Sequence, residues 1–182
     1  MATKATKAAS TTNNGMNMEN GAIHTLSALV ANKPGVLARI AQVFARRGFN
    51  IESLVVSPSK DGDYSRMTIG TTGAHGGLVQ ILAQVNKLVD VLHCYDHTFD
   101  NAVVRELALV KVAVGAGERT EALQIAQHFG CKTEDLTEES MIVMATGATE
   151  KIDALISMLR KFTVIEMVRT GKVVMIRGQG ST

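Results

Sequence analysis

Apolar residues in this 182-residue chain change their spacing in the same order twice, and that repetition constrains the fold more than any other feature. Runs of strand length alternate with stretches in which apolar residues recur at i, i+3, i+4 and i+7, the spacing of one buried helix face. Ile23 to Ala31 is a mostly apolar run of strand length. Leu37, Ile40, Ala41 and Phe44 then fall at helical spacing, with Arg39, Gln42, Arg46 and Arg47 on the other face. Ile51, Leu54, Val55 and Val56 mark a buried strand from Phe49 to Ser57. The turn-forming Pro58-Ser59-Lys60-Asp61-Gly62-Asp63 leads into an alternating strand, Tyr64 to Thr71, so the two strands make a hairpin. Leu78, Ile81, Leu82, Val85 and Leu88 give a second helical stripe, and Val89 to Thr98 a fourth strand. The order β-α-β-β-α-β is the split-βαβ or ferredoxin-like arrangement, an antiparallel sheet with two helices on one face.

The order then recurs. Val103 to Val114 reads as a strand, and Glu118 to Phe129 as a helix with Ala122, Ile125, Ala126 and Phe129 inward, stopped by Gly130. Cys131 to Leu136 is a polar strand and Ser140 to Thr146 a more apolar one. Ile152, Leu155, Ile156 and Leu159 mark a fourth helix, after which Val164 to Val168 and Val173 to Ile176 close the sheet around the turn Arg169-Thr170-Gly171-Lys172. The expectation is an α+β chain of two small modules, residues 22–99 and 105–182, joined by a linker at 100–104. Residues 1–21 are Ala, Thr, Ser, Asn and Lys with almost nothing to bury, and they read as a disordered tail.

Composition narrows the function classes. Lys plus Arg (19) nearly balance Asp plus Glu (17), too small an excess to argue for nucleic acid or a membrane surface. Two cysteines make no disulfide framework, which suits a reducing cytoplasm, and no apolar run approaches the length of a membrane span. Arg47-Gly48-Phe49 matches the opening of an RNA-recognition strand, but Asn50 to Leu54 adds no aromatic on which a base could stack. Gly115-Ala116-Gly117 has the context of a dinucleotide fingerprint, yet Thr120 stands where the third glycine belongs. His93, Cys94 and His97 resemble metal ligands, but strand residues four apart lie about 13 Å from each other, too far to share one metal. No nucleophile elbow, phosphate-binding loop or acidic metal cluster appears, so the chain offers no catalytic residues and no metal ligands.

One stretch remains, Asn32-Lys33-Pro34-Gly35-Val36-Leu37, between the first strand and the first helix. Asn32 sits where a helix N-cap belongs, and Pro34 suits a first helical turn. Gly48, just past Arg46 and Arg47, has the signature of the helix stop. A strand that turns tightly into a helix leaves first-turn N–H groups unpaired, and these favour an anion such as a carboxylate. Gly35 lets a ligand come close to the backbone. The alternative is a capped turn that binds nothing.

Several strings together resemble one family. Asn32 to Leu37, Arg47-Gly48-Phe49-Asn50-Ile51-Glu52-Ser53-Leu54 and Ser65-Arg66-Met67-Thr68-Ile69 resemble the ACT domain of the acetohydroxyacid synthase (acetolactate synthase) small regulatory subunits. Lys87 to Leu92, Arg105 to Val112, Glu166 to Gly171 and Arg177-Gly178 are similar to later parts of the same family, so the resemblance spans Ile23 to Gly178. Cys131 to Leu136 departs from it in being more polar.

The resemblance implies an ACT domain followed by a second ferredoxin-like domain, in a non-catalytic cytoplasmic subunit without cofactors of its own. Its partner, the catalytic subunit, would carry thiamine diphosphate, FAD and magnesium. The small subunit would activate that partner and confer feedback inhibition by a branched-chain amino acid, usually valine, bound where the ACT domains of a homodimer meet. Carried onto this sequence, the effector-binding residues are Asn32, Gly35, Val36, Leu37, Asn50 and Ile51, with Asn50 reaching in from the partner chain. A free-standing ACT-type sensor acting on another enzyme or on transcription, and an enzyme in its own right, stand as the alternatives.

Overall fold

The computed structural model describes residues 23–60, 62–180 and 182, so the expected tail at 1–21 lies outside the described residues. The first module runs β1 (Ile23–Ala31), α1 (Val36–Arg46), β2 (Asn50–Pro58), β3 (Tyr64–Thr72), α2 (His75–Val85) and β4 (Val91–Asp96). Its sheet has the order β2-β3-β1-β4, every pair antiparallel. Alternate residues of β1 (Leu26, Ala28 and Val30) face Ile40 and Phe44 of α1 and Leu78, Ile81 and Val85 of α2, all essentially without solvent contact. Each of these Leu, Ile and Val side chains contributes about 1.5–3 kcal/mol on burial, and Phe44 is the one aromatic in this set.

The face of α1 differs from the expected stripe. Val36, Ile40, Val43 and Phe44 are buried, whereas Leu37 is 40% exposed and Ala41 only half-buried. Two stripes of nearly equal quality run along this helix. The chain enters it through Gly35 in the left-handed conformation, φ +84°, and from there Val36 rather than Leu37 turns to the sheet. At the other end Gly48, φ +69°, ends the helix as its position predicts.

The second module comprises β5 (Ala102–Ala113), α3 (Arg119–His128), β6 (Lys132–Leu136), β7 (Ser140–Gly147), α4 (Thr149–Leu159), β8 (Thr163–Arg169) and β9 (Val173–Ile176). Its sheet runs β6-β7-β5-β8, with the four predicted residues of α4 all buried against it. β6 is exposed along its whole length and, among the described residues, pairs only with β7. Its polarity is that of an edge strand kept from pairing further.

One expectation needs correction. β5 begins at Ala102, so residues 102–104 are strand rather than linker. β8 pairs with Ala108–Ala113 of β5 and β9 with Ala102–Arg105 of the same strand, so the two lie end to end along it. A 12-residue strand extends about 40 Å, long enough for both. At the changeover Thr170 stays bonded to β5, its N–H donating to the Leu107 carbonyl at 3.0 Å and its Oγ1 accepting from the Leu107 N–H at 3.1 Å. Among the described residues, no helix is long and apolar enough to cross a membrane.

Candidate functional site

The β1–α1 turn is held from outside the helix. Asn32 donates its backbone N–H to the Asp63 carbonyl at 2.8 Å and its side-chain Nδ2 to the Gly62 carbonyl at 3.0 Å. Asn32 is therefore not the N-cap, as its position suggested. Gly35 is, and no side chain caps the helix. The reason is positional: the turn spends three further residues before the helix begins, which leaves the Asn32 amide nearer the β2–β3 turn. With Nδ2 committed, Oδ1 is the part of Asn32 that can accept.

The first helical bond runs from the Arg39 N–H to the Gly35 carbonyl at 3.1 Å, and the Val36 N–H reaches Lys33 only at 3.5 Å. The N–H groups of Leu37 and Ala38 have no acceptor among the described residues. A methyl group on Gly35 would meet nothing within 4 Å, so the approach to these amides is open. The first turn carries no acidic residue, and Arg39 is paired with Asp90 at 2.5 Å. An anion placed here would find two donors, the positive end of a helix and no opposing carboxylate within the turn. Val36 contributes backbone only, since its side chain is in the core, while Leu37 presents an apolar side chain beside the donors.

Asn50 and Ile51 lie elsewhere. Asn50 pairs with Thr72, which pairs with Ile23 at the start of β1, whereas Pro58 and Ala31 mark the opposite end of the sheet, the end from which α1 departs. Eight strand residues separate the two ends by about 26 Å, so within one chain Asn50 and Gly35 do not meet. Asn50 donates Nδ2 to Glu52 Oε1 at 2.8 Å, and Thr71 Oγ1 donates to its carbonyl at 2.7 Å. Ile51 is half-buried against the core. β2 is an edge strand, with no strand paired along its outer side among the described residues.

The other candidates resolve into packing. Cys94 is a core residue, its thiol pushed up to about 12 by burial and then by the nearby Asp96 carboxylate. His93 stacks on Tyr95, and no group of three potential metal ligands occurs among the described residues. Burial also raises the Cys131 thiol above its ordinary value, so neither cysteine has the environment of a nucleophile. Gly115-Ala116-Gly117 is a plain turn before α3.

Sequence reasoning missed a charged cluster between the modules. A cleft of about 350 Å³ is lined by Glu52 and Ser53 from β2 and by Glu106, Asp153, Arg169 and Lys172 from the second module, among others. The Glu106 carboxylate is buried and accepts from Arg169 Nη2 at 2.6 Å and Thr149 Oγ1 at 2.5 Å, while Arg169 Nη1 donates to Asp153 at 2.7 Å. Burial lowers the Arg169 pKa, but its bonds to Glu106 and Asp153 outweigh that and hold it above the ordinary value. A signal existed: Glu106 shares the inward parity of Ala108, Val110 and Val112.

The profile of an AHAS small subunit-like ACT domain matches residues 26–93, and that of the small subunit of acetolactate synthase matches residues 105–178. An acetolactate synthase small subunit from Mycolicibacterium smegmatis is 43% identical over 162 residues, spanning 88% of this chain and 95% of its own length. The chain belongs to the acetolactate synthase small subunit family. Another member, from Mycobacterium leprae, is 44% identical over 155 residues, spanning 85% of this chain and 92% of its own. The crystal structure of the small subunit from Thermotoga maritima superposes with a TM-score of 0.77 at 38% identity, covering 88% of this chain and 100% of that one. The resemblance carried by Asn32–Leu37 and its companion strings is thereby borne out, as is the α+β class with an ACT module first. As a small subunit of this family the chain has a regulatory place in the synthase.

Proposed function

We propose that this chain is the non-catalytic subunit of a cytoplasmic acetolactate synthase in branched-chain amino-acid biosynthesis. It binds the catalytic subunit, raises its activity and makes it sensitive to valine. Family membership supports the partnership. The observation that carries the effector reading is the first turn of α1, with two N–H groups that find no acceptor among the described residues, behind a glycine whose side is open. Valine's carboxylate binds to those amides, and its ammonium donates to Asn32 Oδ1. A second copy completes the site: β2 edges paired antiparallel across a two-fold axis bring Asn50 of one chain to the α1 end of the other. Asn50, with its Nδ2 held by Glu52, offers Oδ1 to the same ammonium. Leu37 and Ile51 supply the apolar contact that suits an aliphatic side chain.

Thiamine diphosphate, FAD and magnesium belong to the partner in this reading. The test is reconstitution: the catalytic subunit is assayed with and without this chain, and with valine, leucine or isoleucine added in turn. Activation together with valine inhibition is the expected result. Turnover by this chain alone, stoichiometric cofactor in the purified chain, or a catalytic subunit indifferent to it would refute the proposal. Valine binding without any effect on the synthase would point instead to a free-standing sensor.

A further inference from the structure

Ser53 of β2 stands between two glycines that belong to different modules. A methyl group on Gly70 of β3 would lie 2.5 Å from Ser53 Oγ. One on Gly171, in the β8–β9 connection, would lie 2.3 Å from Ser53 Cβ and 2.4 Å from its Oγ. Non-bonded carbons do not approach as closely as Ser53 Cβ and such a methyl on Gly171 would, so Ser53 sits in a socket that a side chain at 171 would close, while one at 70 would press on its hydroxyl.

Both walls are fixed. Gly70 faces Ser53 across the β2–β3 ladder, directly after a register slip in which Ile51 pairs with Thr71 and Glu52 is left as the extra residue. Gly171, at φ +77°, follows Thr170, which is bonded to Leu107, and Arg169, which is bonded to the buried Glu106. On the near side, Glu52 Oε1 accepts from both Asn50 Nδ2 and Thr72 Oγ1 at 2.8 and 3.1 Å. A hydrogen-bonded bulge thus connects Asn50 to Ser53, and Ser53 keys into the second module.

We infer that this key is how the second module senses the effector. Engagement of Asn50 by a ligand shifts the Glu52 bulge, and Ser53 carries the shift to Gly171 and the Arg169–Glu106 pair. The inference rests on the effector site proposed above, and adds the route by which its occupancy reaches the second module. Close packing makes such a contact switch rather than yield, and the adjoining cleft of about 350 Å³ gives the turn room to move.

Ser53→Gly removes the key, Ser53→Ala keeps its Cβ, and Gly171→Ala blocks the socket from the other side. Three readouts apply to each full chain: valine binding by calorimetry, activation and valine inhibition of the reconstituted synthase, and amide exchange at 169–173 with and without valine. Ser53→Gly and Gly171→Ala should bind valine and activate as the wild type does, yet lose most of the inhibition at saturating valine. In both, the valine-dependent change in exchange at 169–173 should disappear, while Ser53→Ala keeps it. Normal inhibition with a normal exchange response in Ser53→Gly overturns the coupling alone. A wild-type chain that binds no branched-chain amino acid overturns the effector site and the coupling with it.

Discussion

Gly35→Asp and Gly35→Asn separate charge from shape at the α1 terminus. The two side chains have nearly the same size, and Asn and Asp are the non-glycine residues that best tolerate φ +84°. Each loses about 1 kcal/mol of stability for the left-handed backbone, and the Cβ of either has open space around it, with nothing beyond its chain neighbours within 4 Å. Asp recovers about 0.3–1 kcal/mol from the helix dipole, so Gly35→Asp should melt no lower than Gly35→Asn. Valine binding should reverse that order. A ligand carboxylate on the Leu37 and Ala38 amides would lie roughly 5 Å from the aspartate. At an effective dielectric constant of about 20–80 the repulsion is about 1–3 kcal/mol, or roughly fivefold to a hundredfold in affinity. Calorimetry on each variant and valine inhibition curves for the reconstituted synthase, read beside thermal melts, measure both effects. Equal valine sensitivity in folded Gly35→Asp and Gly35→Asn would mean that no carboxylate sits at this helix end.

Two further outcomes test the interior. Arg169→Met strands the buried Glu106 carboxylate and should cost about 2–3 kcal/mol, the low end for a broken buried pair because Arg169 keeps 30% of its side chain in solvent. Adding Glu106→Gln should recover about 1–2 kcal/mol of that in urea unfolding, and strictly additive losses would exclude the pairing. The Cys94 thiol, held at about 12 in the fold, stays protonated where an unfolded chain's thiol ionises. Its contribution to stability is therefore complete below about pH 8.5 and is lost as pH rises toward the folded value, by about 1.4 kcal/mol per pH unit. Cys94→Ala should be flatter than the wild type between about pH 8 and pH 10, and parallel curves would refute the assignment.

The element order was legible because the two periods, two residues for a strand and 3.6 for a helix, are set by backbone geometry and hold wherever one face is buried. Ile152, Leu155, Ile156 and Leu159 were all found, since only one stripe in α4 is apolar. α1 was read a step out of phase because Val36 and Leu37 are equally apolar. A left-handed glycine, which sequence marks but does not orient, decided between them. The same glycine displaced Asn32 from the cap. The end-to-end arrangement of β8 and β9 was hidden for a related reason: Arg169-Thr170-Gly171-Lys172 has the composition of a hairpin turn, and only the bonds of Thr170 to Leu107 make it a step along β5.

What sequence could not supply is contact between distant segments, and the proposed effector site and coupling depend on such contacts. Gly35 and Asn50 were paired through a resemblance, and the strand register explains why that pairing needs two chains: the residues stand at opposite ends of one sheet. An edge strand pairing antiparallel with its own copy is the simplest way to bring opposite ends together, and β2 stands at an edge of its sheet, where the proposed dimer would form. Ser53 carries no sequence signal, since a small polar residue in an edge strand is unremarkable and two glycines 101 residues apart announce nothing about each other. Yet it lies three residues from Asn50, on the strand that forms the proposed dimer edge, and it is the residue that fills the socket of the second module. In the proposed dimer a single strand would face the partner chain along one side and the second module at one end, which puts β2 on the route from the proposed effector site to the second module.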